Sequence, residues 1–239
     1  MTTLQTSPPT KRRDAVRPTP PLELGDRLTR DEFERRYNTM PNLKKAELIE
    51  GVVYMAAAAV KFEGHAHEHN HLNVWLGLYA SETGGVVAGD NSSLKLDLDN
   101  MPQPDCLLMQ LPEFGGQADI VDGYIEGAPE WVGEVSSSTV SLDLHAKLNV
   151  YRRNGVQEYF VWRTQDEEID WFVLREGQFE RLPPDADGIL RSRQFPGLWL
   201  DPEAMTSGRL KRVIEVLQQG LASPEHTAFV ERLASHKTS

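Results

Sequence analysis

The order of apolar and polar positions predicts an alternation of strands and helices along the chain. Residues 46–55 indicate two short strands around a turn at Gly51. Apolar residues between 65 and 81 recur at helical spacing, and the glycines at 84 and 85 end that helix. Further apolar runs typical of strands follow at 86–98, 105–109, 131–135, 159–163, 169–174 and 178–182. The pattern predicts one α/β domain with a mixed sheet.

The remaining segments are predicted as helices, a loop and tails. Thr29 is expected to cap a short helix that ends near Pro41, and residues 138–154 form a helix ended by Gly155. Residues 112–128 are predicted as a Gly-rich loop, and 202–221 as a C-terminal helix. The predicted organisation is a disordered tail over 1–25, an α/β domain over 26–205, and a helix with a frayed tail over 206–239.

Composition narrows the class of protein. Of the 239 residues, 39% are hydrophobic, which is enough for a core, and no apolar run has the length of a membrane span. The first residues lack the apolar segment of a secretory signal. Cys106 is the single cysteine, so an intramolecular disulfide is excluded and a cytoplasmic location is expected.

Three residues suit the chemistry of a hard divalent cation. Asp105 and Glu134 lie at the ends of apolar runs, and Lys147 lies on the amphipathic stretch that follows. Carboxylates are preferred ligands of Mg²⁺, which keeps several of its waters, and the backbone carbonyl of Val135 could add an oxygen. Lys147 could hold an attacking water or offset the negative charge of a phosphorane-like transition state. Each residue taken alone is more often a solvated or capping residue, so the prediction depends on their combination.

The residues around this combination resemble the Uma-type family of restriction endonuclease-like proteins, a branch of the PD-(D/E)XK nuclease superfamily. The resemblance covers roughly residues 27–203. An early Glu-Leu-Ile-Glu-Gly element occupies residues 47–51. The other matching positions are Pro104, Asp105, Glu134, Val135, Ser137, Thr139, Asp143, Lys147, Tyr151 and 155–160.

The resemblance implies a restriction-endonuclease-like core over residues 26–205, with a central mixed β-sheet flanked by helices. It assigns Asp105 and Glu134 to the metal, Lys147 to catalysis, and Glu47 to an additional acid near the site. It further implies Mg²⁺ as cofactor, with Mn²⁺ as an alternative, and a nucleic-acid substrate, expected to be DNA. A homodimer is an expectation by analogy with nucleases that pair to cut both strands.

The chain departs from the family's pattern at three positions. Ser136 lies where the superfamily's Glu-x-Lys motif has lysine, so catalysis would depend on Lys147. Ser138 replaces a common proline, and Phe160 replaces the usual tryptophan. The net charge of −11 also opposes binding to a long duplex, because such surfaces are normally basic. A catalytically inactive module that binds nucleic acid or protein on the same fold is therefore the alternative.

Histidines, aromatic residues and basic residues suggest further hypotheses. His67 with His71, or His65 with His69, has the i, i+4 spacing of metal ligands. A zinc hydrolase with His67 and His71 as ligands is a third hypothesis, and the resemblance also implies a histidine at the start of this helix, assigned to His67. Arg152 and Arg153 with Lys147 could form a basic stripe, and basic residues at 11–13 could contact nucleic acid. Aromatic residues that could stack on bases, or pack in a core, are Trp131, Tyr159, Trp162, Trp171 and Phe172.

Overall fold

A six-stranded mixed sheet forms the centre of the fold in the computed structural model, which describes residues 19–55 and 62–236. Strands β8 (Trp131–Ser136) and β9 (Glu158–Arg163) are parallel, and the other neighbouring strands of this sheet are antiparallel. The predicted α/β fold with a central mixed sheet flanked by helices is confirmed. In spatial order the strands are β11 (Gln178–Arg181), β10 (Glu168–Arg175), β9 (Glu158–Arg163), β8 (Trp131–Ser136), β5 (Cys106–Gln110) and β3 (Val86–Asp90).

Short strands form three smaller sheets beside the central one. The predicted hairpin at Gly51 consists of β1 (Ala46–Ile49) and β2 (Val52–Met55). A three-stranded sheet contains β4, β7 and β6, and a two-stranded sheet contains β12 and β13. The bounds of these strands are β4 (Leu94–Lys95), β6 (Asp119–Val121), β7 (Tyr124–Glu126), β12 (Leu190–Arg191) and β13 (Trp199–Leu200).

Helices cover both faces of the central sheet. Side chains alternate along β5, so that Cys106 and Leu108 enter one core while Leu107 and Met109 enter the other. Helices α2, α5 and α6 pack in the first core, and α3 packs in the second. The helices are α1 (Arg30–Tyr37), α2 (His67–Glu82), α3 (Leu148–Asn154), α4 (Pro202–Thr206), α5 (Leu210–Leu221) and α6 (Pro224–His236), with π-helical turns at Phe62–Ala66 and Leu142–Lys147 that lead into α2 and α3.

The prediction of a Gly-rich loop over 112–128 is wrong for residues 119–126. This segment contains the hairpin of β6 and β7, which turns at Asp122 and Gly123 with φ of 50° and 81°. Positive φ at both central residues is the geometry that an Asp-Gly pair favours in a two-residue hairpin. Strands this short lack the periodicity that predicts a strand from sequence, as is also true of β12 and β13.

The C-terminal region differs from the prediction of one helix and a frayed tail. The predicted helix over 202–221 is interrupted at Gly208, where φ is 71°, and forms α4 and α5 instead. The segment predicted as a frayed tail contains α6, which places Phe229 and Leu233 in the core. At the other end, residues 1–18, including the basic residues at 11–13, lie outside the described residues. The described part begins before the predicted boundary at residue 26: Leu22 is buried, and Gly25 N donates to Val53 O at 2.9 Å.

Candidate active site

Adjacent strands bring Asp105 and Glu134 to the same edge of the central sheet. Cys106 of β5 pairs with Gly133 of β8, so Asp105 and Glu134 lie one step beyond this pair. Asp105 Oδ2 accepts a hydrogen bond from Val135 N at 2.8 Å. The two carboxylates, 29 positions apart in the numbering, are therefore neighbours because β5 and β8 pair in this register.

The side chain of Lys147 connects the helix to this edge. Its Nζ lies 3.0 Å from Glu134 Oε1, 2.9 Å from Glu47 Oε1 and 3.5 Å from Asp143 Oδ1. Asp143 precedes Lys147 by one helical turn, and Tyr151, one turn after it, donates from its hydroxyl to Glu134 Oε1 at 3.0 Å. The helical spacing explains why Lys147 and Tyr151 both reach Glu134 while Asp143 contacts Lys147.

Glu47 reaches the site from the separate hairpin of β1 and β2. Its Oε1 accepts a hydrogen bond from Gln103 N at 2.8 Å in addition to its contact with Lys147. Four residues were predicted to act in the site through their side chains. All four are buried in one region of the molecule: Glu47, Asp105, Glu134 and Lys147.

Sequence reasoning missed Lys45, whose Nζ lies 2.9 Å from Asp105 Oδ1. Lys45 precedes Glu47 by two residues, and residues two apart in an extended chain point to the same side. That spacing is the signal that could have placed Lys45 beside the predicted acids.

The buried cluster has more negative than positive groups. It contains four carboxylates (Glu47, Asp105, Glu134 and Asp143) and two ammonium groups (Lys45 and Lys147). With all six groups ionised, two negative charges are uncompensated. Burying such an excess is costly, so protons or an added cation would be expected to balance it.

This imbalance affects the carboxylates differently. Burial raises the pKa of Glu134 to about 8, and the nearby carboxylates act in the same direction against the opposing effect of Lys147. Burial would also raise the pKa of Asp105, but Lys45 and the N–H of Val135 outweigh it and hold the value below its ordinary range. The pKa of Lys147 lies well above its ordinary value, because the surrounding carboxylates outweigh the effect of burial.

The histidines that reach this site are His65 and His69. His65 Nδ1 lies 3.0 Å from Val135 O, and His69 Nε2 lies 2.8 Å from Asp105 O. The rings of His67 and His71 contact one another instead, with centroids 4.2 Å apart. In the described residues no group of three or more His, Cys, Asp or Glu side chains is arranged to hold a metal ion, which gives no support to the zinc hypothesis.

The donor atoms at the sheet edge nevertheless fit a hard cation. Asp105, Glu134 and the carbonyl of Val135 offer oxygen ligands, and Mg²⁺ needs one or two protein carboxylates because it keeps several waters. With all six groups ionised, the excess of two negative charges in the cluster equals the charge of one divalent cation. Chemically, these residues suit Mg²⁺ better than a metal that prefers nitrogen or sulfur.

A cleft of about 550 Å³ lies beside the cluster. Thr139 in its wall donates to Asp143 Oδ2 at 2.6 Å, and thus connects the cleft with the residues around Lys147. Hydroxyl groups contribute to its lining, which consists of Tyr54, Ser138, Thr139, Ser141, Leu142, His145 and Ala146.

Burial and pairing decide two further alternatives that the sequence left open, a basic stripe and a base-stacking surface. The basic stripe is absent because Lys147 is buried, Arg153 pairs with Glu50 at 2.7 Å, and Arg152 donates to Gly177 O. Of the two interpretations of the aromatic residues, packing in a core is confirmed: Trp131, Tyr159, Trp162 and Trp171 are buried and Phe172 is partly buried.

Comparison with known proteins finds a solved structure and a family profile that are similar to this chain. A solved structure from Anabaena variabilis, described as a "putative nuclease belonging to DUF820", is similar with a TM-score of 0.49 and 14% identity, over 77% of this chain and 97% of that one. No curated protein shows significant similarity. The helices of the described residues include none long and apolar enough to cross a membrane. The sequence profile that matches residues 30–203 is that of Uma2, described as "Putative restriction endonuclease". The chain therefore belongs to the Uma2 family of restriction endonuclease-like proteins.

Proposed function

We propose that this protein is a divalent-metal-dependent endonuclease that hydrolyses a phosphodiester bond of nucleic acid. DNA is the expected substrate and Mg²⁺ the expected cofactor, with Mn²⁺ as an alternative. One observation carries the proposal: the Lys147 ammonium lies among Glu134, Glu47 and Asp143, in a cluster of four carboxylates and two ammonium groups. Family membership supports the same class of enzyme, since restriction endonuclease-like proteins generally use a divalent metal.

Asp105, Glu134 and the Val135 carbonyl would hold the metal ion. When bound, such an ion lowers the pKa of a water and stabilises charge that develops on the phosphate. Glu47 would keep Lys147 in place through their 2.9 Å contact. The 3.5 Å contact of Lys147 with Asp143 is long for a hydrogen bond, so one N–H of Lys147 is suited to orient the attacking water.

Metal binding and cleavage can be tested in the same variants. Wild-type protein is expected to bind Mn²⁺ and to cleave DNA in Mg²⁺ or Mn²⁺. Asp105→Asn and Glu134→Gln should lose both properties while they keep a cooperative thermal transition. Asp119→Asn, at an exposed aspartate of β6, is the matched control and should keep both. A folded wild-type protein that binds no divalent ion and cleaves neither DNA nor RNA would refute the proposal.

An inactive binding module is the second candidate function. In its favour, Lys45 and Lys147 already pair with Asp105 and Glu134, and the net charge of −11 opposes metal-independent binding to phosphate. Binding of an oligonucleotide or a protein without cleavage in any divalent metal would favour this candidate.

The homodimer and the cytoplasmic location stay predictions. Cleavage of both strands of a duplex needs two sites, which a dimer would provide. Light scattering coupled to gel filtration, with and without a DNA duplex, is the measurement that decides between one and two copies.

A further inference from the structure

Lys45 is the most exposed charged group of the buried cluster. Its side chain is 24% exposed, whereas those of Lys147, Glu134 and Asp105 are 4%, 4% and 5% exposed. Lys45 therefore lies where the cluster meets solvent. A phosphate group that approaches Asp105 from solvent would meet the ammonium of Lys45 before it meets Lys147.

The contacts of the two lysines also differ. Lys147 has three carboxylates within 3.5 Å, so its ammonium is already surrounded by negative groups. Lys45 pairs with Asp105 at 2.9 Å, and this is its one ion pair among the described residues. An ammonium has three N–H donors, so Lys45 can contact a phosphate oxygen without giving up Asp105.

We propose that Lys45 is a second lysine of the active site, one that contacts the phosphate next to the cleaved bond of the nucleic acid. Lys147 then stays with the buried carboxylates and the attacking water. This inference rests on the proposed function, because it assigns a substrate contact to the same site. It also changes the interpretation of Ser136, since the lysine absent from the Glu-x-Lys motif would be compensated by Lys45, directly before β1, as well as by Lys147 on the helix.

Two neighbouring lysines allow a matched test. Lys45→Gln removes the charge but keeps an amide donor that can face Asp105, and Lys44→Gln makes the same change at an exposed side chain one residue earlier. Binding of a fluorescent DNA duplex is measured by anisotropy at several salt concentrations, with Ca²⁺ in place of Mg²⁺.

Lys45→Gln is expected to weaken binding about tenfold, since a charge-assisted hydrogen bond to phosphate is lost. The slope of log affinity against log salt should fall by about 1, as for the loss of one phosphate contact. Lys44→Gln should change the affinity less than about twofold, as is usual for a surface position. Lys45→Arg should keep most of the binding and the wild-type slope, because it keeps the charge.

Equal affinities and slopes for Lys45→Gln and Lys44→Gln would overturn the inference. So would a wild-type protein that binds no DNA, or a loss of binding in Lys45→Arg equal to that in Lys45→Gln. If Lys45→Gln does not fold, the comparison of Lys45→Arg with wild type decides, and weakened binding in Lys45→Arg then counts against the inference.

The proposed function is tested separately, by measuring cleavage and Mn²⁺ binding. Lys45→Gln should bind Mn²⁺ at least as tightly as wild type, because it removes a cation that competes for Asp105. A wild-type protein that binds DNA through Lys45 but never cleaves it would refute the proposed nuclease activity and support the contact between Lys45 and a phosphate. Loss of Mn²⁺ binding in folded Lys45→Gln would instead assign Lys45 to the support of Asp105 and overturn the inference.

Discussion

Lys147 and Glu134, thirteen residues apart in the chain, form a buried ion pair in which Nζ lies 3.0 Å from Oε1. Both side chains are 4% exposed, so neither charge can be compensated by bulk water. Removing one partner of such a pair leaves an uncompensated charge in a medium of low dielectric constant. The pair therefore connects the stability of the fold with the chemistry of the site.

Replacement of Lys147 by methionine should destabilise the protein and abolish cleavage. Glu134, Glu47 and Asp143 would then lie together without the ammonium between them, at a cost of about 3–5 kcal/mol. Urea unfolding measures this cost. Lys211→Met, at an exposed lysine of α5, is the control and should change the free energy of unfolding by less than about 0.5 kcal/mol. Equal stabilities of the two variants would contradict the buried ion pair.

The raised pKa of Glu134 predicts that stability falls with pH in the absence of metal. In the unfolded chain this carboxyl loses its proton near 4.5, and in the folded protein near 8. Between these values the folded state binds more protons, so the contribution of Glu134 to stability is complete below pH 4.5 and declines as pH rises to about 8.

Glu134→Gln does not titrate and should lose this contribution to the pH dependence. Its stability relative to wild type is expected to increase from pH 5 to pH 8, as measured by urea unfolding in EDTA. Parallel pH curves for the two proteins would show that Glu134 has an ordinary pKa in the folded state.

Tyr151→Phe should affect the site as well as the fold. The Tyr151 hydroxyl donates to Glu134 Oε1 at 3.0 Å, and its removal deletes a hydrogen bond to a carboxylate worth about 1.5–3 kcal/mol. We expect lower stability together with a changed Mn²⁺ affinity, measured by calorimetry.

Tyr159→Phe is the matched control for this change. The Tyr159 hydroxyl is equally buried but donates to the backbone carbonyl of Asp143 at 3.0 Å, so the variant should lose stability and keep the Mn²⁺ affinity. Identical Mn²⁺ affinities in the two variants would show that Tyr151 does not contribute to metal binding.

Glu158→Gln should be destabilising without an effect on the metal. Glu158 Oε1 accepts from the backbone N–H groups of Arg193 and Gln194 at 2.6 and 3.0 Å, and Oε2 accepts from the Ser192 hydroxyl at 2.7 Å. In the glutamine variant an NH₂ group would replace one of these oxygens and would face N–H or O–H donors. The unsatisfied donors would lower the free energy of unfolding by about 1–3 kcal/mol. Thermal unfolding and Mn²⁺ titration measure the two effects, and weaker Mn²⁺ binding would contradict a purely structural role.

Several elements could be predicted from the sequence because they depend on local chemistry. The hairpin at Gly51, the helix capped by Thr29 and the buried strands at 105–109 and 131–135 all formed near their predicted positions. Alternation of apolar residues and turn residues with positive φ determine these elements without reference to distant parts of the chain. The strands β6 and β7 were not predictable in this way, because each has three residues and depends on its pairing partner. The packing of α6 was not predictable because it depends on core contacts with distant segments.

The sequence by itself determined the residue types of the site and their order: an early acid at Glu47, two acids in or beside apolar runs, and a lysine on the following helix. Tertiary structure alone decided their distances, since β5 and β8 must pair in register and the β1–β2 hairpin must dock before Glu47 reaches Lys147. It also brought in Lys45 and buried the other five charged groups of the cluster. Burial and long-range pairing arise from contacts between segments far apart in the chain, and these contacts produce the charge imbalance on which the proposed metal site depends.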